Sequence, residues 1–358
     1  MKRIAFITYE YPPDTGKGGI GTYTLQTAGM LAEKGWEVHV FAASNYRTVT
    51  EKNINLTVHL IKSPNPERFR YDVVSPFITQ HQSTPFNVIE SPEINSNASE
   101  IKRKIPELTL IVRLHAPNYL VENLKKVYIP FIAKLRYFLG AIKRGKYDLG
   151  YWRPYKKEFD TDYQFVNTAD YITAPSEAMK EWAVRNWKLE SESIHVIPNL
   201  FFPPAALLEI PIIKENKYKI IIFYGRLNVL KGLVNATFAM RKILKENADW
   251  KFLVVGNDEN GPKQGISMRT WMKRKLASVQ KQVEYFDGIA YEKLPDAILE
   301  SEIILLPSLF ESFSYTCAEA MAAGKAVVGS KVGGMNDLLE NGAYGLLADP
   351  YSYKDIYK

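Results

Sequence analysis

Twice along this 358-residue chain, short apolar runs alternate with amphipathic stretches of helical length, and a cluster of prolines separates the two series. Few architectures accept that pattern. A strand, a helix and a second strand in succession pair in parallel through a right-handed crossover, and repeated units build a doubly wound sheet. The first series opens with Arg3-Ile4-Ala5-Phe6-Ile7-Thr8, followed by a Pro/Gly-rich loop from Tyr9 to Gly19. A helix over about 20–34 should stop at Gly35, a suitable C-terminal cap, with the next strand at 37–42. Further strands are expected at 56–61, 87–90, 108–114, 171–174 and 193–197, with a helix starting at Ser176.

Pro198, Pro203, Pro204 and Pro211 mark an interdomain linker. Beyond it the alternation restarts, with strands at 219–224, 251–255, 283–286, 303–306 and 326–330 and a last one near 344–347. Helices over 233–245, 268–279, 294–301 and 316–323 fall between them. The expectation is an α/β chain of two doubly wound, Rossmann-like domains, residues 1–198 and 199–358, facing a central cleft. Such domains bind ligand near the carboxyl ends of their strands.

Composition excludes several other classes. The hydrophobic fraction of 46% suits a globular protein. A single cysteine, Cys317, rules out a disulfide framework. The apolar run at the N-terminus is broken by Glu10, too early for a secretory signal, and no run of about 18 apolar residues could span a bilayer. A cytoplasmic location follows as the expectation. The net charge of +7 is unevenly placed: ten cations lie from Lys125 to Lys157, against the single acid Asp148. Tyr128, Phe131, Leu135, Phe138, Leu139, Tyr147 and Trp152 are interleaved with them. Such a segment is either a helix pair with a solvated basic side and a core-facing apolar side, or a face for a polyanionic acceptor or for anionic lipid, the last of which would make the protein membrane-peripheral. No nucleic-acid recognition motif accompanies the charge, so nucleic acid is not an expected partner.

Three clusters carry chemistry. Gly16, Gly18 and Gly21 spell a dinucleotide fingerprint, but Tyr9 to Thr15 separate it from the first strand. The second strand also ends in Phe41-Ala42-Ala43-Ser44, without the acid that would take ribose hydroxyls. These glycines are better read as a loop that lets backbone N–H groups approach an anionic or sugar ligand. Gly225-Arg226-Leu227-Asn228-Val229-Leu230-Lys231-Gly232 places two cations between a strand and a helix start, suited to a diphosphate or simply a basic surface loop. In the third cluster Glu311 follows a buried strand, and Glu319 sits in the next helix among Cys317, Ala318, Ala320 and Met321. An acid there is costly to bury unless it accepts hydrogen bonds, which ribose hydroxyls would supply.

The segment from Phe310-Glu311 to Glu319-Ala320-Met321-Ala322-Ala323-Gly324 resembles the E-x7-E segment of retaining GT-B glycosyltransferases of family four. Tyr11-Pro12-Pro13 with Gly18-Gly19-Ile20-Gly21, Val88-Ile89-Glu90-Ser91-Pro92-Glu93 and Val112-Arg113-Leu114-His115 resemble the N-domain motifs of that family in order. Ala174-Pro175-Ser176, Val196-Ile197-Pro198-Asn199, Gly225-Arg226, Lys231-Gly232, Val254-Val255-Gly256, Phe286-Asp287-Gly288 and Leu306-Pro307-Ser308 continue the series across nearly the whole chain.

The resemblance implies roles. Arg226 and Lys231 would hold the donor diphosphate, Glu319 the ribose, and Glu311 the donor sugar near its reacting carbon. Backbone amides of Phe313, Ser314 and Tyr315 would cradle the distal phosphate, while Gly18 and Gly19 would approach donor and acceptor and His115 would touch the donor sugar. The base would be read around 286–294. Transfer would retain configuration by same-face attack assisted by the departing phosphate. No metal or cofactor is expected, the basic pair doing a metal's work. The donor would be a UDP- or GDP-sugar, the acceptor a saccharide or a lipid-linked molecule. Ser312 and Ser314 stand where the family often has glycines, and the family usually continues a few dozen residues past Lys358, so either a fragment or a C-terminus built differently is expected. Arg113 and Glu90 could be structural or touch ligand. The alternatives are a nucleotide-sugar-binding protein without transfer activity and a GT-B nucleotide-sugar epimerase.

Overall fold

Every residue of the first strand, β1 (Arg3–Thr8), is buried, as a parallel strand covered on both faces requires. The structure is a computed structural model that describes residues 2–16, 18–211, 219–289 and 293–358. Among these the further strands are β2 (Glu37–Ser44), β3 (Val49–Asn53), β4 (Leu56–Lys62), β5 (Val88–Pro92), β6 (Thr109–Arg113), β7 (Tyr171–Ala174) and β8 (Ile194–Val196). They continue as β9 (Lys219–Tyr224), β10 (Trp250–Val255), β11 (Val283–Phe286), β12 (Ile303–Leu306), β13 (Ala326–Ser330) and β14 (Leu346–Ala348). The chain divides into two compact units, Met1–Tyr119 with Lys156–Phe202, and Leu120–Tyr155 with Pro203–Lys358.

The sheet of the first unit has the order β3-β4-β2-β1-β5-β6-β7-β8. All pairings are parallel except β3 with β4. One face packs Ile4, Phe6, Val38, Val40, Val58 and Leu60 against Ala28 and Ala32 of the helix Gly19–Glu33. On Phe41 the opposite face stacks His59 at 4.4 Å and sets Phe77 edge-on at 5.4 Å. Burying one such ring is worth about 1.5–3 kcal/mol. The sheet of the second unit is wholly parallel, β11-β10-β9-β12-β13-β14. One of its core clusters joins Phe223, Phe252 and Val254 to Leu233 and Met240. The other joins Ile222, Ile304 and Val327 to Ile298, Cys317 and Met335. Helices therefore cover the sheet on both sides. Chain order reverses between β9 and β12, and between β1 and β5, the positions at which open parallel sheets bind ligands.

Several expectations need adjusting. β3 was absent from the sequence reading because all five of its residues are exposed, so no apolar alternation marks it. The helices Pro66–Asp72 and Val74–Ser83 were not anticipated either. The helix expected over 268–279 ends at Lys275 and gives way to a 3-10 turn, Ala277–Gln282. The units change over between Phe202 and Pro203 rather than at 198, and 120–155 belongs with the second unit instead of the first. Tyr128 shows why: it packs against the second unit's core, and its hydroxyl accepts a hydrogen bond from Asn235 Nδ2 at 3.1 Å. Among the described residues no helix is long and apolar enough to cross a membrane.

Candidate active site

On the second unit, the loops leaving β9 and β12 are sewn together by backbone. Leu309 N donates to Leu230 O at 2.8 Å. Gly232, at φ +69°, precedes the helix Leu233–Glu246, and a Cβ there would lie 1.6 Å from Pro307 O. No other residue fits. This approach carries Lys231 across to the β12 loop, where its Nζ meets Glu311 Oε1 at 2.5 Å, with both side chains about one-fifth exposed. Arg226 does not join that pair. It is largely exposed and lies 3.6 Å from Glu259 Oε1, while Asn228 Nδ2 donates to Glu259 Oε2 at 2.6 Å. Asn228 Oδ1 in turn accepts from Lys231 N at 3.2 Å, tying both cations to one scaffold.

Glu311 is braced from the other side by a glycine pair that sequence reasoning passed over. Gly334 N donates to Glu311 O at 2.6 Å. A Cβ on Gly333, at φ +85°, would sit 2.4 Å from Glu311 O, and one on Gly334 2.3 Å from Ser312 O. The Gly333-Gly334 doublet after β13 was the available signal.

Ser314 has φ +92° and caps the helix Tyr315–Ala322, its Oγ accepting from Cys317 N at 3.3 Å. Phe313 is buried with its ring edge-on to Tyr315 at 5.2 Å. Glu319 is buried on the same helix. Burial pushes the neighbouring Cys317 thiol up to about 12, which removes it as a nucleophile at neutral pH. The segment expected to read the base, 286–294, includes 290–292, which lie outside the described residues.

On the first unit, the expected residues also lie where strands end. Glu10 follows β1, and its side chain fills the space beneath the glycine loop: a Cβ on Gly16 would be 2.7 Å from Glu10 Cγ, and one on Gly18 2.9 Å from Glu10 Oε2. Those glycines thus admit a carboxylate of the chain itself. Gly18 is the N-terminal cap of the helix that begins at Gly19.

His115 follows β6 and is buried, its ring edge-on to Tyr23 at 5.5 Å. Burial, and then the Arg113 charge, hold its imidazole down at about 3, so it is neutral at any physiological pH. Its backbone N–H is held by both oxygens of Glu93 at 2.9 Å. Glu93 is fully buried, and burial followed by the nearby Asp162 pushes its carboxyl up to about 8. Asp162 accepts from Asn95 N at 3.2 Å and Asn118 N at 2.8 Å. Glu93, quoted within a motif yet given no role, is the positioning group that the sequence reading missed.

Glu90 and Arg113 are engaged internally. Tyr23 Oη donates to Glu90 Oε1 at 2.7 Å, and Arg113 Nη2 donates to Ile197 O at 2.6 Å and Asn199 Oδ1 at 2.7 Å. The Arg113 guanidinium also lies 4.3 Å from the centre of the Tyr23 ring. Glu90 ties β5 to the helix Gly19–Glu33, and Arg113 ties the end of β6 to the chain after β8. Among the described residues no three His, Cys, Asp or Glu side chains gather as a ligand set for a metal.

Comparison with known proteins agrees with the fold. Residues 17–201 match the family model described as Glycosyltransferase Family 4, and 209–358 match Glycosyl transferases group 1. Mannosylfructose-phosphate synthase of Agrobacterium fabrum is 23% identical over 59% of this chain, an alignment spanning 52% of that enzyme. D-inositol 3-phosphate glycosyltransferase of an Arthrobacter species is 22% identical, over 99% of this chain and 85% of its own length. Among solved structures, sucrose-phosphate synthase of Thermosynechococcus elongatus superposes with a TM-score of 0.70 at 20% identity, covering 100% of this chain and 88% of that one. HepE of Anabaena in complex with UDP-glucose gives a TM-score of 0.64 at 16% identity, with the same coverages. With a family model matching more than half its length and two Rossmann-like units of the GT-B kind, this chain belongs to glycosyltransferase family 4.

Proposed function

We propose that the protein transfers a hexosyl-type sugar from a UDP- or GDP-sugar to a saccharide or lipid-linked acceptor, with retention of anomeric configuration. The observation that carries this reading is the Lys231–Glu311 pair, a cation and a carboxylate in contact at the point where strand order reverses. Cationic groups preorganised beside a leaving diphosphate stabilise charge that develops only in the transition state. Lys231 and Arg226 take that part, and no metal is assigned to the step. Glu319 binds the ribose hydroxyls, and backbone N–H groups of Phe313, Ser314 and Tyr315 hold the distal phosphate. Glu311 contacts the donor sugar once the diphosphate draws Lys231 toward itself.

The bond between the anomeric carbon and the phosphate oxygen breaks, its electron pair passing to the diphosphate. The acceptor hydroxyl attacks the same face and gives its proton to the departing phosphate oxygen. Gly18, Gly19 and His115 on the first unit are assigned sugar contacts. A neutral imidazole can donate or accept one hydrogen bond there without adding charge. The UDP-glucose in the HepE complex supports a nucleotide-sugar donor. The Arthrobacter relative, named for an inositol phosphate, supports a hydroxyl-bearing acceptor.

Incubation of the full chain with UDP- and GDP-sugars, with and without acceptor, tests the proposal by following product anomers by NMR. Transfer that needs acceptor and keeps the donor's configuration is expected. An inverted product would overturn retention. Interconversion of donor in the absence of acceptor would favour an epimerase, and donor binding without turnover a binding protein.

A further inference from the structure

The helix Phe131–Lys143 in the second unit turns its most apolar face to solvent. Phe131, Ile132, Leu135, Leu139 and Ile142 are all exposed, Phe131 and Ile132 to about two-thirds. At the 100° per residue of an α-helix, these five positions fall within an arc of about 100°. The stripe is continuous. Arg136 and Lys143 border it, and Arg144 and Lys146 follow at its C-terminal end; all four are exposed.

An exposed apolar face can simply be a poorly held segment, but this one is braced at its start and along its other side. Trp152 packs edge-on against Phe131 and Phe138, both at 6.0 Å, and Tyr137 against Tyr151 at 5.4 Å. Asp148 accepts from Tyr137 Oη at 2.9 Å, Gly150 N at 3.0 Å and Arg153 Nη2 at 2.8 Å. Gly150, at φ +51°, is required because a Cβ there would lie 2.4 Å from the Tyr137 ring. The only acid between Lys125 and Lys157 is thereby spent inside the turn, leaving the outward face cationic.

We propose that this helix and the turn after it dock on an anionic lipid surface, with the apolar stripe among the acyl chain ends and the flanking cations at the phosphate level. The observations favour lipid over a folded protein. Large aliphatic and aromatic residues on one face, bordered by long cationic side chains that can snorkel, match a bilayer interface in both polarity and charge. This goes beyond the transferase reading and does not depend on it.

The test is co-sedimentation of the full chain with vesicles of neutral phosphatidylcholine and with vesicles containing phosphatidylglycerol, at low and high salt. Expected is at least about tenfold stronger binding to the anionic vesicles at low salt, most of it lost near 0.5 M salt. Two variants separate the contributions: L135D/L139D removes the stripe and K143E/R144E reverses the charge. Each should weaken binding about tenfold or more while keeping the parent's circular dichroism and thermal midpoint. Equal binding to both vesicle types, or parental binding by both variants, would overturn the proposal. So would a parent dimer that L135D/L139D dissociates with no change on vesicles, since the face would then join two copies of the chain. Thermal shift with nucleotide sugars is read in parallel: vesicle binding without donor binding would sink the transferase reading and leave this one standing.

Discussion

Lys231 and Glu311 stand 80 positions apart in the chain, yet their side chains meet at 2.5 Å. They come from loops following β9 and β12, the adjacent strands between which chain order reverses. The ion pair neutralises both groups until an anionic ligand competes for the lysine.

Replacing Lys231 with Ala should abolish donor-induced thermal stabilisation and lower turnover by about 10²–10³-fold, the effect of removing one preorganised charge partner in a transition state. Because both side chains are partly exposed, the folded state should lose only about 1 kcal/mol. Steady-state kinetics beside a urea titration separate the two quantities. Turnover within threefold of the parent would remove Lys231 from the mechanism.

Gly232→Ala should cost more stability than Lys231→Ala despite adding one methyl group. The new Cβ would press on Pro307 O at a backbone angle that side chains rarely adopt. Forcing the loops apart should cost about 3 kcal/mol or more, and donor binding should weaken with it. A parental denaturation midpoint would show that this contact is dispensable.

Ser314→Gly should stabilise the protein. A non-glycine residue at φ +92° carries strain of about 1–2 kcal/mol, whereas Ser to Gly at a helix N-cap loses a few tenths. Strain is the larger, so the net gain is about 1 kcal/mol. Loss of stability would mean that the Ser314 Oγ bond to Cys317 N outweighs the backbone.

Between pH 6.5 and 8 the protein should lose stability relative to its Glu93→Gln variant. Glu93 titrates at about 8 in the folded state against an ordinary value of 4.5, so across that window the native state binds the extra proton and loses its advantage as pH rises. His39, His59, His81 and His115 are all held below 6.5, so they add stability across the same window as the unfolded imidazoles give up their protons, and the comparison with Glu93→Gln isolates the carboxyl. Over 1.5 pH units the loss is about 2 kcal/mol. The change in urea midpoint from pH 6.5 to 8 should be more negative in the parent than in Glu93→Gln, a neutral isostere that still accepts from His115 N. The same change in parent and variant would assign the titration elsewhere.

The strand ladder was largely legible because buried parallel strands are apolar along their whole length. β1, β7, β9, β11, β12 and β13 lie where the apolar runs place them. β3 escaped because an exposed edge strand such as Val-Thr-Glu-Lys-Asn carries no hydrophobic signal. The two short helices after β4 escaped because each is too brief for a helical period to stand out.

Residue types at the candidate site were readable, their partners were not. Order along the chain placed Arg226, Lys231 and Glu311 in loops after strands and Glu319 in the helix that follows. Only folding decided that Lys231 meets Glu311 while Arg226 meets Glu259, because pairing depends on which loops share a sheet reversal. Glycines show the same division. Gly232 could be recognised as a loop glycine, but the reason for it is a carbonyl from Pro307, 75 positions away. The sequence by itself determined the α/β series, the charge of each loop and the family, since periodicity, composition and ordered motifs are local properties. Tertiary structure alone decided which carboxylates are buried, which unit receives 120–155 and which face of the helix Phe131–Lys143 meets solvent. Burial and partnership are set by segments far apart in the chain, and no local pattern encodes them.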